Sequence, residues 1–586
     1  MHVSVWAPRA TTSVEVVLGG PEVPEGERPR VALAARERGR WSADVPALGP
    51  EDDYAFSLDG GPARPDPRSA SQPHGVHGPS RVVDQTDFTW TDAAWRGFHL
   101  PSAVLYEMHV GTFSEEGTFE GAIAHLDHLV DLGVDAVELL PVVEFSGDRG
   151  WGYDGVDLWA PHHAYGGPDG LKRLVDACHA RGLGVLIDVV YNHLGPSGNY
   201  LAQFGPYFGE HHHTNWGAAV NVDGPGSDEV RAFIVENAVM WLRDYHADGL
   251  RLDAVHAIID DSARHVLEHL ADAVRGLGAH LARPLWLVAE SDRNDPRYVR
   301  PSVAGGYGLD ASWADEWHHA VHSALTGETS GYYADFEAFS LLGKALGQAW
   351  VYDGAYSAHR DRVHGRPPTG LDGSTFVVSA QNHDQVGNRA VGERLGHLVS
   401  PGRLRVAAAL MLTSPFVPLL FQGEEWGAST PFLYFTNHED PELGRAVTHG
   451  RRREFAHFGW DPETVPDPQE EATFRRSVLR WDEVGSGEHA ALLDWYRRLI
   501  ALRRAHPDLG TGPLRPRDAG THDAHRVAWV RRGSLTVVTN LGEEDVDLPS
   551  GLVALGTTLL LASDDAVTLS ADAVHLPPDT VGIVGP

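Results

Sequence analysis

Cysteine and lysine are nearly absent from this sequence. Its 586 residues include one cysteine, Cys178, and lysine occurs only at Lys172 and Lys344. A single cysteine excludes an internal disulfide framework. Because Cys178 lies in the helix-like stretch LVDACHARGL, we expect it to be a packed small residue rather than a nucleophile.

Positive charge is also scarce. The chain has 47 Lys and Arg against 81 Asp and Glu, which gives a formal net charge of −34 at pH 7. A chain this acidic is poorly suited to bind nucleic acid or an anionic membrane over a broad surface. We therefore expect neither nucleic acid nor a membrane as a partner.

Targeting and membrane segments are missing as well. The N-terminal MHVSVWAPRA has neither the basic start nor the apolar core of a signal peptide. No stretch approaches the run of ~18 apolar residues that a membrane span requires. We expect a cytoplasmic protein. The length of 586 residues, with 42% hydrophobic residues, is enough for several domains and at least one large core.

The two ends of the chain have the pattern of β domains. HVSVWAP, SVEVVLGG, RWSADVPAL and DYAFSLDG are short strand-like runs divided by Gly/Pro turns, and they predict a small β-sandwich over residues 1–96. The segment GGPARPDPRSASQPHGVHGPS predicts an extended connection. After about residue 509, RVAWVRR, LTVVTNLG and VDLPS have no helical period. They predict a small C-terminal β domain over residues 509–586.

Between these ends, strand-like and helix-like segments alternate. The strand-like runs are VLYEMHV, AVELLPV, GVLIDVV, GLRLDAV, PLWLVAE, GLDASW, TFVVSAQ and PFVPLLFQ. Eight strands in alternation with helices predict a (β/α)8 TIM barrel with inserted loops over residues 97–508, an α/β fold. The alternative is a doubly wound sheet, but no G-x-G-x-x-G follows the first strand.

The fourth run contains charges where a buried strand should be apolar. In ADGLRLDAVH, residues 247–256, Leu250 and Leu252 fit a buried strand, while Arg251 and Asp253 share the opposite face. Parallel barrel strands are covered on both faces and are normally apolar throughout. The exception is their C-terminal ends, where active sites are built.

Other strand ends also have charged or polar side chains. LIDVVYNH contains Asp188 and ends near His193, LWLVAE ends in Glu290, and FVVSAQNHD ends in His383 and Asp384. One such acid could be a buried carboxyl group with a structural partner. Acids at the ends of four different strands, with Asp253 the fourth, indicate a shared catalytic site.

These motifs resemble the four sequence regions of the α-amylase family of glycoside hydrolases. DVVYNH, GLRLDAVH, the strand-ending Glu290 and QNHD occur in the order of the family, and the resemblance covers nearly the whole chain. It implies a retaining glycosidase that acts on α-glucans. Retention requires two carboxyl groups about 5–5.5 Å apart, one nucleophilic and one acidic.

The resemblance also implies catalytic roles for three acids. Asp253 would be the nucleophile that attacks the anomeric carbon. Glu290 would be the general acid that protonates the leaving oxygen and then the base that activates water. Asp384 would hydrogen-bond the 2- and 3-hydroxyls of the reacting sugar.

Further positions are candidates for binding the substrate or supporting these acids. Arg251 should hold the Asp253 carboxylate ionised, with Asp188 supporting Arg251 from behind. The candidates for contacts to the reacting sugar are His193, His383 and Tyr153. Tyr153 lies in the motif RGWGYDGV. Trp216, Tyr332 and Tyr333 are candidates for stacking on sugars. For each aromatic residue the alternative is ordinary loop packing.

Histidine clusters raise the question of a metal site. HHH at 211–213 and His162–His163 are consecutive, whereas helical ligand pairs are spaced at i, i+4. Asn192 matches a calcium ligand of some family members, but no complete acidic loop surrounds it. We predict no metal and no required cofactor.

Loops point to one substrate within the family. The segments 287–297, 308–333, 379–390 and 433–455, with WGYDGVDLWAPHHAYGGPDGLKRLV, resemble members that act on maltooligosyltrehalose. They imply cleavage of the α-1,4 bond next to the terminal trehalose, with trehalose as a product, after a synthase has made the substrate. His256 is the candidate contact to the leaving group, and its alternative is an inert histidine at the barrel mouth. The alternatives for the protein are a glucan branching enzyme or another α-glucan-acting enzyme of the family, and a catalytically silent glucan-binding protein.

Overall fold

A closed barrel of eight parallel strands forms the centre of the molecule. The computed structural model describes residues 1–214, 217–457, 464–549 and 557–586. Each barrel strand lies within one of the eight predicted runs, which confirms the (β/α)8 fold. We name the strands β1 (Leu105–Met108), β2 (Ala136–Leu139), β3 (Gly184–Val189), β4 (Gly249–Leu252), β5 (Trp286–Ala289), β6 (Ala311–Trp313), β7 (Phe376–Ser379) and β8 (Val417–Phe421).

The two faces of β4 have different surroundings, as the alternation of its side chains predicts. Leu250 and Leu252 are buried in the main hydrophobic core. Arg251 is buried too, but its guanidinium lies 4.3 Å from the ring centre of Trp313 on β6. The guanidinium is therefore held against a side chain of another barrel strand.

Helices surround the barrel, and one helix-like stretch of the sequence is broken in two. The stretch FEGAIAHLDHLVDLG forms two helices, because His125 leaves helical geometry (φ −109°, ψ 2°) and stacks its ring on Trp481 at 3.9 Å between ring centres. The helices are Val110–Phe113, Phe119–Ile123, Leu126–Leu132, Gly167–Ala180, Leu201–Phe204, Ser227–Arg243, Val266–Leu281, Asp315–Thr326, Ser340–Gln348, His383–Gly387, Leu395–Leu398, Pro401–Leu412, Pro441–His457, Glu471–Arg476 and Gly487–Ala505.

In the described part of the chain, three antiparallel hairpins are inserted between the barrel elements. Val143–Glu144 pairs with Asp157–Pro161, Phe208–Thr214 with Gly217–Val220, and Asp353–Ser357 with Arg362–Gly365. The third hairpin lies between β6 and β7 in the chain. The sequence predicted inserted loops but not these strand pairs.

Both ends of the chain form antiparallel sheets, as predicted. The N-terminal strands are His2–Trp6, Val14–Leu18, Arg30–Ala32, Ala34–Ala35, Arg40–Asp44, Asp53–Leu58 and Ser80–Arg81, arranged in a three-stranded and a four-stranded sheet. The C-terminal strands are Ala519–His522, Val527–Arg532, Leu535–Asn540, Val546–Pro549, Thr558–Ala562, Thr568–Leu569, Ala573–Leu576 and Thr580–Gly585. We propose domain boundaries at 96/97 and 508/509, which fall outside all of these strands.

The lone cysteine is buried among packed side chains, and burial raises the pKa of the Cys178 thiol. A reactive thiolate is therefore disfavoured. Among the helices of the described residues, none combines the length and the apolar character needed to cross a bilayer.

Candidate active site

A cluster of charges is centred on Arg251 at the end of β4. Its Nη1 atom donates to Asp253 Oδ1 at 2.8 Å and to Asp188 Oδ2 at 2.8 Å. Arg251 is only 1% exposed. A buried guanidinium is costly unless it is paired, so the two carboxylates and the cation stabilise one another.

The turn after β4 brings a second catalytic candidate to the same cluster. Ala254 adopts a left-handed conformation (φ 38°), and its N–H donates to Glu290 Oε2. Glu290 Oε2 also lies 3.8 Å from Arg251 Nη2. A strained backbone at a non-glycine residue is typical of functional sites, and here it aims the amide of the residue after Asp253 at the Glu290 carboxyl group.

The environments of Asp253 and Glu290 differ. Asp253 accepts hydrogen bonds on both oxygens, from Arg251 and from Asn192 Nδ2 at 2.7 Å. Burial raises the pKa of Glu290 well above its usual range, and the charge of Asp253 raises it further, although Arg251 opposes both. Burial also raises the pKa of Asp188 to about 6 against the effect of Arg251. Glu290 is therefore the carboxyl group of the pair suited to carry a proton.

The end of β7 places His383 and Asp384 on the other side of the cluster. The Asp384 Oδ1 atom accepts a hydrogen bond from Asn388 Nδ2 at 2.9 Å. Glu107, from β1, accepts from the His383 backbone N–H at 2.8 Å and contacts its Nδ1 at 2.6 Å. Burial would lower the pKa of His383, but Glu107 raises it above its ordinary value.

Tyr153, in the loop after β2, links these elements. Its hydroxyl donates to Asp188 Oδ2 at 2.6 Å and lies 2.8 Å from His383 Nε2. The Tyr153 and His383 rings also stack, with centres 5.1 Å apart. His193 Nε2 lies 2.9 Å from the Tyr153 carbonyl oxygen. Three loops are thus fixed against one another around the charged cluster.

One cavity of about 570 Å³ brings the predicted site residues together. The sequence-predicted residues that line it are Asp253, Glu290, Asp384, Tyr153, His193, His256 and His383. Arg251 and Asp188 lie behind this wall and hold it through the hydrogen bonds above. Trp216 lies outside the described residues.

A second cavity of about 210 Å³ adjoins the first. Asp384 and Asn388 line both cavities. The residues following Glu290, Ser291 and Asp292, line the second one. The second cavity therefore borders both the segment that follows Glu290 and the segment that contains Asp384.

Two predicted aromatic residues lie differently with respect to this second cavity. Tyr332 lines it, while Tyr333 is 5% exposed and stacks on His322, with ring centres 4.4 Å apart. Tyr332 therefore faces space that a sugar could occupy, whereas Tyr333 packs in the protein.

His256 lies at the border between the two cavities. It lines the first, and its Nε2 atom is 3.8 Å from Asp292 Oδ1, which lines the second. Burial lowers the pKa of His256. Its buried Nδ1 atom has no hydrogen-bond partner among the described residues. The ring is thus a neutral polar group in the wall of the first cavity.

Sequence reasoning missed Glu107, Asn388 and Asp315. Glu107 lies in the run VLYEMHV at the end of β1, so the signal that found the other strand-end acids was present there. Asn388 lies one helical turn after Asp384, and Asp315 begins the helix after β6.

One of the histidine pairs belongs to a cluster with spacing that could suit a metal. Ligand atoms of Glu144, His162 and His163 lie within 4.8 Å of one another. However, His162 Nδ1 accepts a hydrogen bond from the Ala164 N–H at 3.0 Å, which places the ring proton of the neutral form on Nε2. His163 Nδ1 contacts Glu144 Oε1 at 2.7 Å. The buried His162 Nε2 atom has no hydrogen-bond partner among the described residues. The absence of a metal stays a prediction. In the run HHH at 211–213, the side chain of His211 is outside the described part, and ligand atoms of His212, Asp223 and Asp261 also lie within 4.8 Å of one another.

Comparison with known proteins identifies the class. Residues 83–215 match the protein-family model described as alpha amylase, catalytic domain, and residues 516–583 match a domain of unknown function (DUF3459). A crystal structure from Salmonella typhimurium, of a protein assigned provisionally as an alpha amylase, has a TM-score of 0.89 and 39% sequence identity. It covers 100% of this chain and 97% of that chain. The barrel and its charged strand ends define a glycoside hydrolase of the α-amylase class.

Two relatives named malto-oligosyltrehalose trehalohydrolase match almost the full chain. The protein from Rhizobium sp. (strain M-11) is 48% identical over 585 residues, which are 99% of this chain and 97% of the relative. The protein from Arthrobacter ramosus is 53% identical over 554 residues, 94% of each chain. This chain belongs to the malto-oligosyltrehalose trehalohydrolase family.

Proposed function

We propose that the protein hydrolyses the α-1,4-glucosidic bond next to the terminal trehalose of maltooligosyltrehalose and releases trehalose. Family membership supports the substrate. The observation that carries the chemistry is the shared contact of Arg251 with Asp253 and Glu290 beside one cavity. Both carboxyl groups contact one guanidinium, so they are held close together, and a retaining mechanism needs two carboxyl groups about 5–5.5 Å apart.

In the first step Asp253 attacks the anomeric carbon. A bond forms between its carboxylate oxygen and C1, and the bond from C1 to the bridging oxygen breaks. Glu290 gives its proton to that oxygen, so trehalose leaves as a neutral molecule. Arg251 and Asn192 orient the Asp253 carboxylate for this attack, because each donates a hydrogen bond to one of its oxygens.

In the second step a water molecule displaces the Asp253 carboxylate from C1. Glu290, now ionised, takes a proton from a water molecule, whose oxygen bonds to C1 while the ester bond to Asp253 breaks. Two displacements restore the α configuration of the shortened maltooligosaccharide. Glu290 ends the cycle protonated, as it began.

The remaining residues of the first cavity would bind the reacting sugar. Asp384 would accept hydrogen bonds from the 2- and 3-hydroxyls, which strengthen as positive charge develops on the ring. His193 and His383 would contact hydroxyls of the same sugar. Tyr153 would stack on its apolar face while its hydroxyl stays fixed by Asp188.

The second cavity would receive the leaving trehalose. Ser291 and Asp292, which come directly after the proton donor Glu290 in the chain, line this cavity, and its walls contain both aromatic and charged side chains. Tyr332, Phe336 and Tyr352 offer surfaces for sugar rings, and Asp292 and Arg360 offer polar groups. His256 would contact the leaving sugar from the border between the cavities.

The proposed pathway position follows from the substrate. The enzyme would act after a synthase that converts the reducing end of a maltooligosaccharide into a terminal trehalose unit. We also propose a cytoplasmic location. The proposed mechanism uses only side chains and water, so we propose that no cofactor is required.

Product analysis tests this function. The purified protein is incubated with maltotriosyltrehalose and, separately, with a plain maltooligosaccharide of equal length. We expect free trehalose and maltotriose from the first substrate and much slower cleavage of the second. Formation of new α-1,6 branches would instead establish a branching enzyme, and the absence of any conversion would favour a silent glucan-binding protein.

A further inference from the structure

We propose that Asp315 is a specificity-determining residue whose carboxyl group hydrogen-bonds a hydroxyl of the leaving disaccharide. This inference rests on the proposed function and adds a residue to it. Asp315 is a further carboxyl group at the barrel mouth, in addition to the three acids of the mechanism.

The position of Asp315 follows from β6. The strand ends at Trp313, and Asp315 is the first residue of the helix Asp315–Thr326. Its side chain lines the second cavity together with Asp384 and Tyr332. The barrel scaffold thus presents this carboxyl group on the side of the site where the leaving group would lie.

Among the carboxyl groups that line the second cavity, the others have partners. Glu316 accepts from the Val351 and Tyr352 backbone N–H groups. Asp292 accepts from Arg360 Nη1 at 2.9 Å, and Asp384 accepts from Asn388. Asp315, by contrast, accepts no hydrogen bond and forms no ion pair with the residues that the structure describes.

The electrostatic surroundings favour the protonated form of Asp315. Burial raises its pKa to about 7, and the negative charge of Asp384 contributes to the rise. The charged groups that act on it come from several elements: Asp384 after β7, Asp292 after β5, Arg251 on β4 and Arg360 on the inserted hairpin. The charge of Asp315 in turn raises the pKa of Glu290. A protonated carboxyl group can donate a hydrogen bond as well as accept one.

A polar group in this position can select between substrates. A site built to bond a particular hydroxyl rejects a ligand that leaves the site's buried polar group unpaired. A terminal 1,1-linked glucose presents its hydroxyls in a different direction from the reducing end of a linear chain. Asp315 would therefore contribute more to the cleavage of maltooligosyltrehalose than to that of a maltooligosaccharide.

The test compares two substrates on three proteins. The ratio of kcat/KM for maltotriosyltrehalose to kcat/KM for maltopentaose is measured for the unaltered protein, Asp315→Ala and Asp315→Asn. Because both substrates use the same Glu290, the ratio cancels the titration of the catalytic acid. The control is Asp310→Asn. Asp310 precedes β6, and its carboxylate accepts a hydrogen bond from the Leu287 N–H at 2.8 Å.

We expect the ratio to fall about fivefold in Asp315→Ala, the effect of losing one hydrogen bond, and to be retained in Asp315→Asn and in the control. In the unaltered protein the ratio should fall as the pH rises through about 7, because the ionised carboxylate cannot donate. In Asp315→Asn it should not change with pH.

Two results would overturn the assignment. One is a ratio in Asp315→Ala equal to that of the unaltered protein. The other is a ratio in Asp315→Asn that follows the same pH dependence as the unaltered protein, which remains measurable if Asp315→Ala fails to fold. If the unaltered protein releases no trehalose, the proposed function fails instead, so the two failures are distinguishable.

Discussion

At the end of β4, Arg251 donates to Asp253 and Asp188 and lies 3.8 Å from Glu290. The three carboxyl groups share one cation but differ in their other partners. Asp253 has a second donor in Asn192, whereas burial raises the pKa of Glu290. Environments that separate two carboxyl groups in this way assign one as the nucleophile and the other as the acid.

The raised pKa of Glu290 predicts the alkaline side of the pH profile. A raised pKa keeps the acid protonated where an ordinary carboxyl group is ionised, so kcat/KM for maltotriosyltrehalose should persist to higher pH and fall as the pH rises through that pKa. An α-maltotriosyl fluoride needs no protonation of its leaving group. The single-turnover rate of enzyme glycosylation by the fluoride should lack this fall. Equal alkaline losses for both substrates would contradict the role of Glu290.

Removal of the nucleophile distinguishes an enzyme from a glucan-binding protein. Asp253→Ala should lower kcat by about 10⁴-fold or more, because the covalent step loses its attacking group. Trehalose release is measured by chromatography and glucan binding by calorimetry. Asp228→Ala, at a carboxylate 76% exposed and paired with Arg38, is the control and should keep full activity. A trehalose release rate in Asp253→Ala close to that of the control would refute the assignment.

Some site residues could be predicted from the sequence and others could not. Arg251 and Asp253 stand out because charge on a buried parallel strand breaks a strong rule. Asn388 has no such signal, since an asparagine after a short helix is ordinary, and only the fold shows that it contacts Asp384. Asp315 looks like an acidic residue of a helical first turn, which is common. Its unpaired position in a cavity depends on the surrounding loops.

At the scale of elements, the loop after β3 is braced by the chain that precedes the barrel. Leu194, Gly195 and Pro196 line the catalytic cavity. Farther along this loop, Gly198 (φ 84°) lies so close to Val76 that an added Cβ would be 2.4 Å from the Val76 Cβ atom. The segment predicted as an extended connection, residues 60–80, therefore also supports a wall of the active site.

This contact predicts an effect of Gly198→Ala on substrate binding. The substitution adds both strain at a positive φ and a clash with Val76, so the loop should move. We expect KM for maltotriosyltrehalose to rise about threefold or more with kcat little changed. Gly182→Ala is the matched control, because Gly182 has a similar φ of 79° at the other end of β3 with nothing within 4 Å of an added Cβ. Equal KM values in the two variants would contradict the prediction that the Gly198–Val76 contact holds this loop in place.

The elements themselves were largely predictable, and the exceptions have physical causes. Strand runs of the barrel are apolar and short, and their alternation with helices defines the fold. The inserted hairpin of Asp353–Ser357 and Arg362–Gly365 has exposed positions on both strands. It therefore lacks the buried apolar face by which a strand is recognised in a sequence. The break near His125 depends on a partner, Trp481, that is distant in sequence.

At the scale of the whole molecule, the buried His179 connects the chain just before the barrel, at Asp92 and Trp95, to the N-terminal end of β4. His179 lies between two carboxylates, with Nδ1 at 2.8 Å from Asp92 Oδ2 and Nε2 at 3.0 Å from Asp248 Oδ2. Trp95 also donates to Asp248, at 2.8 Å, and its ring stacks on His179. Asp248 precedes β4, so the same network supports the strand that contains Arg251.

This network predicts a pH-dependent part of the stability. Burial would lower the pKa of His179, but the hydrogen bonds of Asp248 and Asp92 raise it above its ordinary value. The stabilisation is thus fully present below the unfolded pKa and is lost as the pH rises through the folded pKa. The unfolding temperature should fall more between about pH 6 and about pH 9 in the unaltered protein than in His179→Gln. Calorimetry tests this, with the exposed His2→Gln as control. Parallel pH dependence in His179→Gln would refute it.

The claim on which the function depends is that Asp253 becomes covalently bonded to the sugar. The most direct measurement treats the Glu290→Gln variant with an α-maltotriosyl fluoride and locates the adduct by mass spectrometry of peptides. The fluoride leaves without an acid, while the missing base prevents hydrolysis, so the ester should accumulate. We predict one maltotriosyl group on Asp253. A sugar found on Asp384 or elsewhere, or fluoride consumed with no adduct and a product of inverted configuration, would contradict the account.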